Sequence, residues 1–236
     1  MRAKLQGPPV HPSGRHARIQ VMSKSGGAMV LGLLLGAAAA VARTADLPPG
    51  SWHFNALLDG RRIGEHDFVV THKEDEVVID DVAHFKVTLA LIPVYAYEHQ
   101  NHEAWRNGCL AAITSHTNDN GKKDFVHGAM AGDAFEIESS RGARTLSGCV
   151  HTFAYWDKES LLAPRLLNAQ TGEYQAVTLT RVGSQSVSVG GQSIAATRYA
   201  LRAAHLSIDV WYSDSGQWLA LESKLESGRT LRYEIQ

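Results

Sequence analysis

Several features that would assign a chemistry quickly are missing. The two cysteines among the 236 residues, Cys109 and Cys149, form no Cys-x-x-Cys pair and no recognisable nucleophile context, which leaves thiol catalysis without support. No Gly-x-Ser-x-Gly elbow, phosphate-binding glycine loop or dinucleotide fingerprint occurs, so serine hydrolases and nucleotide enzymes of the familiar kinds lose support as well. Helical periodicity is nearly absent. No apolar run reaches the roughly twenty residues that span a bilayer, and no acid precedes Asp46.

One apolar run is nevertheless present, from Ala28 to Ala42. Lys24 precedes it, and the small-x-small sites Ala40-Val41-Ala42 and Arg43-Thr44-Ala45 close it, which is the layout of a cleaved export signal. The expected organisation is a disordered leader or mis-assigned start over 1–21, a signal peptide over 22–45 and a single β-rich domain over 46–236. No Cys follows the run, so the usual attachment point of a bacterial lipoprotein is missing. The mature product is expected to be periplasmic or secreted, with no integral membrane segment.

Six of the 23 Lys and Arg lie before Asp46, so the body keeps 17 basic against 24 acidic residues, a net charge of −7. Nucleic acid and anionic lipid surfaces reward clustered cations, and an acidic body argues against both.

Turn signals recur at short spacing: Asp59-Gly60, Asn118-Asp119-Asn120-Gly121, Thr171-Gly172, Gly190-Gly191, Asp214-Ser215-Gly216 and Ser227-Gly228. Between them stand β-branched and aromatic runs, the pattern of antiparallel hairpins. Trp52, Phe54, Ala56 and Leu58 alternate with His53, Asn55 and Leu57, and Leu231, Tyr233 and Ile235 with Arg232 and Glu234, so each strand buries one face. Val77 to Tyr97 reads as one long element with Pro93 as its bulge, bend or break. Asp157, two leucines and Pro164 mark one short helix or helical turn. The fold class is all-β: a single antiparallel meander forming a strongly curved sheet or a barrel, the choice being open to periodicity.

Export makes a Cys109–Cys149 disulfide the expected state, with two buried thiols as the alternative. Tyr95 to Trp105 is the densest stretch of chemistry-capable side chains. It reads as a hairpin whose Tyr95, Tyr97 and Trp105 line the core or its mouth. A His-Glu-x-x-His zinc motif fails, because Arg106 stands where the second His belongs. On a strand His99 and His102 point to opposite faces, and no metal ligand is assigned. Asp214-Ser215-Gly216 matches the short aspartic-protease signature without a second copy, and its setting is a turn between aromatic strands. Phe153-Ala-Tyr-Trp-Asp157 could line a cavity or be ordinary core.

Trp52 to Gly64, Tyr97-Glu-His with Glu103-x-Trp105 and Gly108-Cys109-Leu110, Gly148-Cys149 with Phe153-Ala-Tyr-Trp-Asp157, Leu167 to Gly172, and Asp209-x-Trp-Tyr212 together resemble an exported proteobacterial family, domain of unknown function 6134. The resemblance spans nearly all of the mature chain, includes both cysteines and implies no activity. More distantly the chain is similar in architecture to periplasmic curved-sheet and lipocalin-like proteins. The functional expectation is a non-catalytic binding or carrier protein for an apolar or amphipathic small molecule. The ligand-binding residues are expected to be Tyr97, His99, Trp105, Tyr155 and Trp156; no catalytic residue or cofactor is assigned. The alternatives are a hydrolase of envelope glycans or lipids, using Glu98 or Glu103 beside His99, and an envelope assembly or structural factor presenting a strand edge.

Overall fold

The structure, a computed structural model, describes residues 50–90 and 92–236; the expected leader and signal peptide lie outside the described residues. The alternation of apolar and polar residues becomes fifteen strands: β1 (Gly50–Leu58), β2 (Arg61–Lys73), β3 (Glu76–Leu89), β4 (Ile92–Arg106), β5 (Cys109–Asp119), β6 (Lys122–Ala131), β7 (Ala134–Ser139), β8 (Gly142–Ser147), β9 (Arg165–Leu167), β10 (Tyr174–Ala176), β11 (Thr178–Val189), β12 (Gln192–Ala203), β13 (Leu206–Tyr212), β14 (Trp218–Lys224) and β15 (Thr230–Ile235). Thirteen of them form one antiparallel sheet in the order β11-β12-β13-β14-β15-β1-β2-β3-β4-β5-β6-β7-β8, and β9 and β10 form a separate ribbon. The ladder runs from a β11 edge to a β8 edge without closing. Of the two expected forms, it is the strongly curved open sheet.

Curvature follows from where the apolar residues fall. Trp52, Phe54, Ala56 and Leu58 of β1 are all buried, and the first three join Phe135 and Ile137 of β7 and Leu201, Val210 and Tyr212 of β12 and β13 in one core. Strands far apart in the sheet order share that core, so the sheet must roll around it. Bulges at Ala56/Leu57, Val87/Thr88 and Ala104/Trp105 add the local twist that rolling requires. A smaller cluster of Val187, Ala196, Trp211, Leu219 and Ala220 buries the opposite face of β13 and β14.

The connection between β8 and β11 fills the interior. Its Val150, Leu161, Leu166 and Leu167 are fully buried, and Ala154 and Trp156 nearly so. Backbone bonds hold it down: Leu110 N donates to Val150 O and Leu167 N to His151 O, while the Tyr212 hydroxyl donates to Tyr155 O. The disulfide Cys109–Cys149 ties its start to β5. The expected helix is a single 3-10 turn, Ser160–Leu162, where Asp157 accepts from Glu159 N and from the Ser160 hydroxyl.

Two sequence expectations change. Val77 to Tyr97 is two strands, because the chain reverses at Ala90, which takes a left-handed φ of 47° without a glycine or asparagine to signal it. Pro93 sits beside the resulting bulge, opposite Thr88. Tyr95 to Trp105 is a continuous stretch of β4, and the hairpin turn falls after it, at Asn107-Gly108. The Asp214-Ser215-Gly216 segment is the turn between β13 and β14, with Gly216 N donating to Ser213 O. Among the described residues, no helix is long and apolar enough to cross a membrane.

Candidate functional site

Strand register builds the site. His66 on β2 lies opposite Ala83 on β3, Ala83 opposite His99 on β4, and His99 opposite Thr117 on β5. In the adjacent inward-facing row, Phe68, Asp81, Asn101 and Ser115 stand side by side. In the next, Val70, Ile79, Glu103 and Ile113 do. Alternation reserves these positions for apolar side chains, yet Asp81, His99, Asn101 and Glu103 occupy them at 2–7 % exposure. Buried polar groups are tolerated when they bond to one another, and here they form a chain.

The Tyr233 hydroxyl and His66 Nδ1 share a 3.2 Å hydrogen bond, and His66 Nε2 donates to Asp81 Oδ1 at 3.1 Å. The Asn101 amide nitrogen donates to Asp81 Oδ2 at 2.7 Å and to Glu103 Oε1 at 3.0 Å. Glu103 Oε2 accepts from the Trp105 indole at 2.8 Å and from the Thr152 hydroxyl at 3.2 Å. His99 Nδ1 shares a 2.8 Å hydrogen bond with Thr117, and its Nε2 lies 3.7 Å from Asp81 Oδ1. Within this network of side chains one buried atom is unpartnered, Asn101 Oδ1. The amide orientation is set by chemistry, since the other terminal atom faces two carboxylate oxygens and must be the donor.

Burial decides the charge states. It raises the Glu103 carboxyl to about 7, assisted by the Asp81 charge and opposed by hydrogen bonds from Asn101, Trp105 and Thr152. It lowers the His99 imidazole, against the pull of Asp81. Tyr97, Tyr155 and Tyr233 are pushed up by the same desolvation and stay neutral.

Above this polar floor lies a pocket of about 200 Å³, roofed by Thr152 to Trp156 and Asn168 to Gln170 of the interior connection. Four of the five expected ligand-binding residues, Tyr97, His99, Tyr155 and Trp156, line it. Trp105 does not: it stands behind the floor, bonded to Glu103 and packed edge-to-face on Trp156 at 5.4 Å. Glu98 and His102 face away, both exposed, with His102 bonded to Asp80. Among the described residues, no group of three or more His, Cys, Asp or Glu is arranged to hold a metal ion.

A family model described as "Domain of unknown function (DUF6134)" matches residues 54–236. The chain belongs to that family. Among solved structures, the crystal structure of a beta-barrel-like protein of domain of unknown function DUF1849 from Brucella abortus aligns with a TM-score of 0.58 over 79% of this chain and 94% of that one. At 10% identity the likeness is one of fold. No curated protein matches the chain.

Sequence reasoning passed over His66, Asp81, Asn101, Thr152 and Tyr233 of this DUF6134 site. The signal was present in part: Asp81 shares its parity with Ile79 and Ala83, and Asn101 shares its parity with Tyr97, His99 and Trp105. Thr152 offered none, because the segment that carries it is not a strand of the main sheet.

Proposed function

We propose that this is an exported, non-catalytic binding protein, periplasmic or secreted, that holds a compact small molecule with a polar head between the inner face of β2–β4 and the connection that crosses it. The observation that carries the reading is the row of inward-facing polar side chains, Asp81, His99, Asn101 and Glu103, gathered beneath the pocket. A core built for stability alone would fill such positions with apolar groups, since replacing buried polar networks by well-packed hydrophobes is often neutral or stabilising.

The apolar or amphipathic small molecule expected from the sequence narrows to a compact one. Val150, Leu161, Leu166, Leu167 and Trp156 take the interior volume, and 200 Å³ corresponds to roughly seven water molecules at liquid density. Binding is favoured over hydrolysis because, of the two acids named in the hydrolase reading, Glu98 is exposed on the other face and Glu103 has both oxygens engaged by Asn101, Trp105 and Thr152. Efficient proton transfer needs the group within reach of a substrate atom. Export is supported by the signal-like segment and by the disulfide.

Native mass spectrometry of protein purified from the periplasm tests the reading. A small adduct that is released on unfolding supports it. An adduct-free mass together with a crystal structure holding only ordered water in the pocket overturns it.

A further inference from the structure

We infer that the molecule held in this pocket carries a protonated primary amine on a compact apolar body; the inference rests on the binding reading above and names the ligand's class.

Three observations converge. The first is the acceptor without a donor. Asn101 lines the pocket, is 93% buried by its 7 % exposure, and leaves Oδ1 unpartnered. An unsatisfied buried carbonyl is costly, and an N–H donor that reaches it recovers that cost.

The second is charge. Asp81 and Glu103 both line the pocket, and no Lys or Arg does. The cationic candidates among the lining residues are His66 and His99. His66 is already engaged at both ring nitrogens, by the Tyr233 hydroxyl and by Asp81, and burial lowers His99. An anion entering here would meet the Asp81 carboxylate and no Lys or Arg. An ammonium meets Asp81, whose oxygens are engaged by His66 and Asn101 but keep further acceptor capacity, because an ionised carboxylate offers about four lone-pair sites.

The third is the walls. Phe68, Tyr97, Tyr155, Trp156 and Tyr233 supply aromatic faces around the polar floor. Such faces attract a cation and also cover apolar carbon, so one molecule with an ammonium head and a small hydrocarbon body satisfies both. A primary amine is selected over a quaternary one, because the orphan carbonyl and the Asp81 carboxylate both require N–H donors.

The test is titration calorimetry on the mature, disulfide-intact chain with three sets of isosteres: benzylamine, cyclohexylamine and butylamine, each beside its alcohol and its carboxylate. At least one amine is expected to bind ten-fold or more tightly than its alcohol, with the matching carboxylate not binding. Asp81→Asn should weaken that amine ten-fold or more, and Glu98→Gln, on the outer face of β4, should change it less than three-fold. Alcohols binding as tightly as the amines would overturn the cation assignment and leave the pocket reading standing. Carboxylates binding best would do the same. If none of the nine binds and a crystal soaked in benzylamine shows only a water on Asn101 Oδ1, both the assignment and the pocket reading fail.

Discussion

Thr152 and Glu103 are 49 residues apart in sequence and joined by a 3.2 Å hydrogen bond from hydroxyl to carboxylate. That bond fastens the interior connection to the middle of β4, so the roof of the pocket and its floor share one buried carboxyl group. The state of Glu103 therefore reports on both.

Glu103 is more easily protonated folded, at about 7, than at its ordinary 4.5. The native state then binds the extra proton between those values, and the stability this contributes is complete below about pH 4.5 and lost as pH rises through 7. At 1.36 kcal/mol per pH interval of ten-fold change, the span is worth about 3 kcal/mol. Glu103→Gln does not titrate. The difference in unfolding free energy between wild type and Glu103→Gln should shrink by about 3 kcal/mol between pH 4.5 and 8 in urea melts. A difference independent of pH would show that the carboxyl ionises normally inside the fold.

Cys149→Ser should cost about 4 kcal/mol, the chain-entropy value for a crosslink between residues 40 apart. The loss should be matched by reductant treatment of the wild type and should fall mostly on the connection from Cys149 to Val177. Hydrogen exchange can check that, with amides of Leu167 and Phe153 expected to lose protection before those of β1. Uniform loss across the sheet would mean that the crosslink supports the whole fold.

Trp156→Ala should destabilise by about 3–5 kcal/mol, since the indole is 4 % exposed and packed against Trp105. Trp156 is both wall and core, so its removal lowers ligand affinity and stability together. A loss of unfolding free energy below about 1 kcal/mol would place it outside the core.

Gly64→Ala should cost at least about 2 kcal/mol, for a reason unconnected with backbone dihedrals. A Cβ there would sit 1.9 Å from the His84 carbonyl oxygen on the neighbouring strand, and a ladder backbone cannot retreat far. Gly60→Ala, at a turn with open space but φ of 78°, should cost about 1 kcal/mol from strain alone. Thermal melts of the pair distinguish collision from conformation.

The β1 pattern was fully legible: Trp52, Phe54, Ala56 and Leu58 alternate in the sequence and are buried in the fold. The disulfide and the turns at Asp59-Gly60, Gly190-Gly191 and Asp214-Ser215-Gly216 were legible for the same reason, being local chemistry with local consequences. The Ala90 reversal was not, because its left-handed residue is one that sequence statistics assign elsewhere. The site was half legible. Tyr97 and His99 on β4 stood out, but the partners that give them a setting come from β2, β3, β15 and the interior connection. Only the register of neighbouring strands brings His66, Asp81 and Tyr233 to the same place.

The join between β1 and β15, where Phe54 faces Ile235 and Leu58 faces Leu231, is the one place in the large sheet where strands distant in sequence lie side by side. Every other neighbour in the ladder is also a neighbour in the chain. The molecule is consequently a strip fastened by its two ends, and its middle is the last thing to exist. Until Thr230–Ile235 has emerged, β1–β8 and β11–β14 are two separate ribbons with raw edges on β1 and β14, and a chain that stops early offers both to whatever strand it meets.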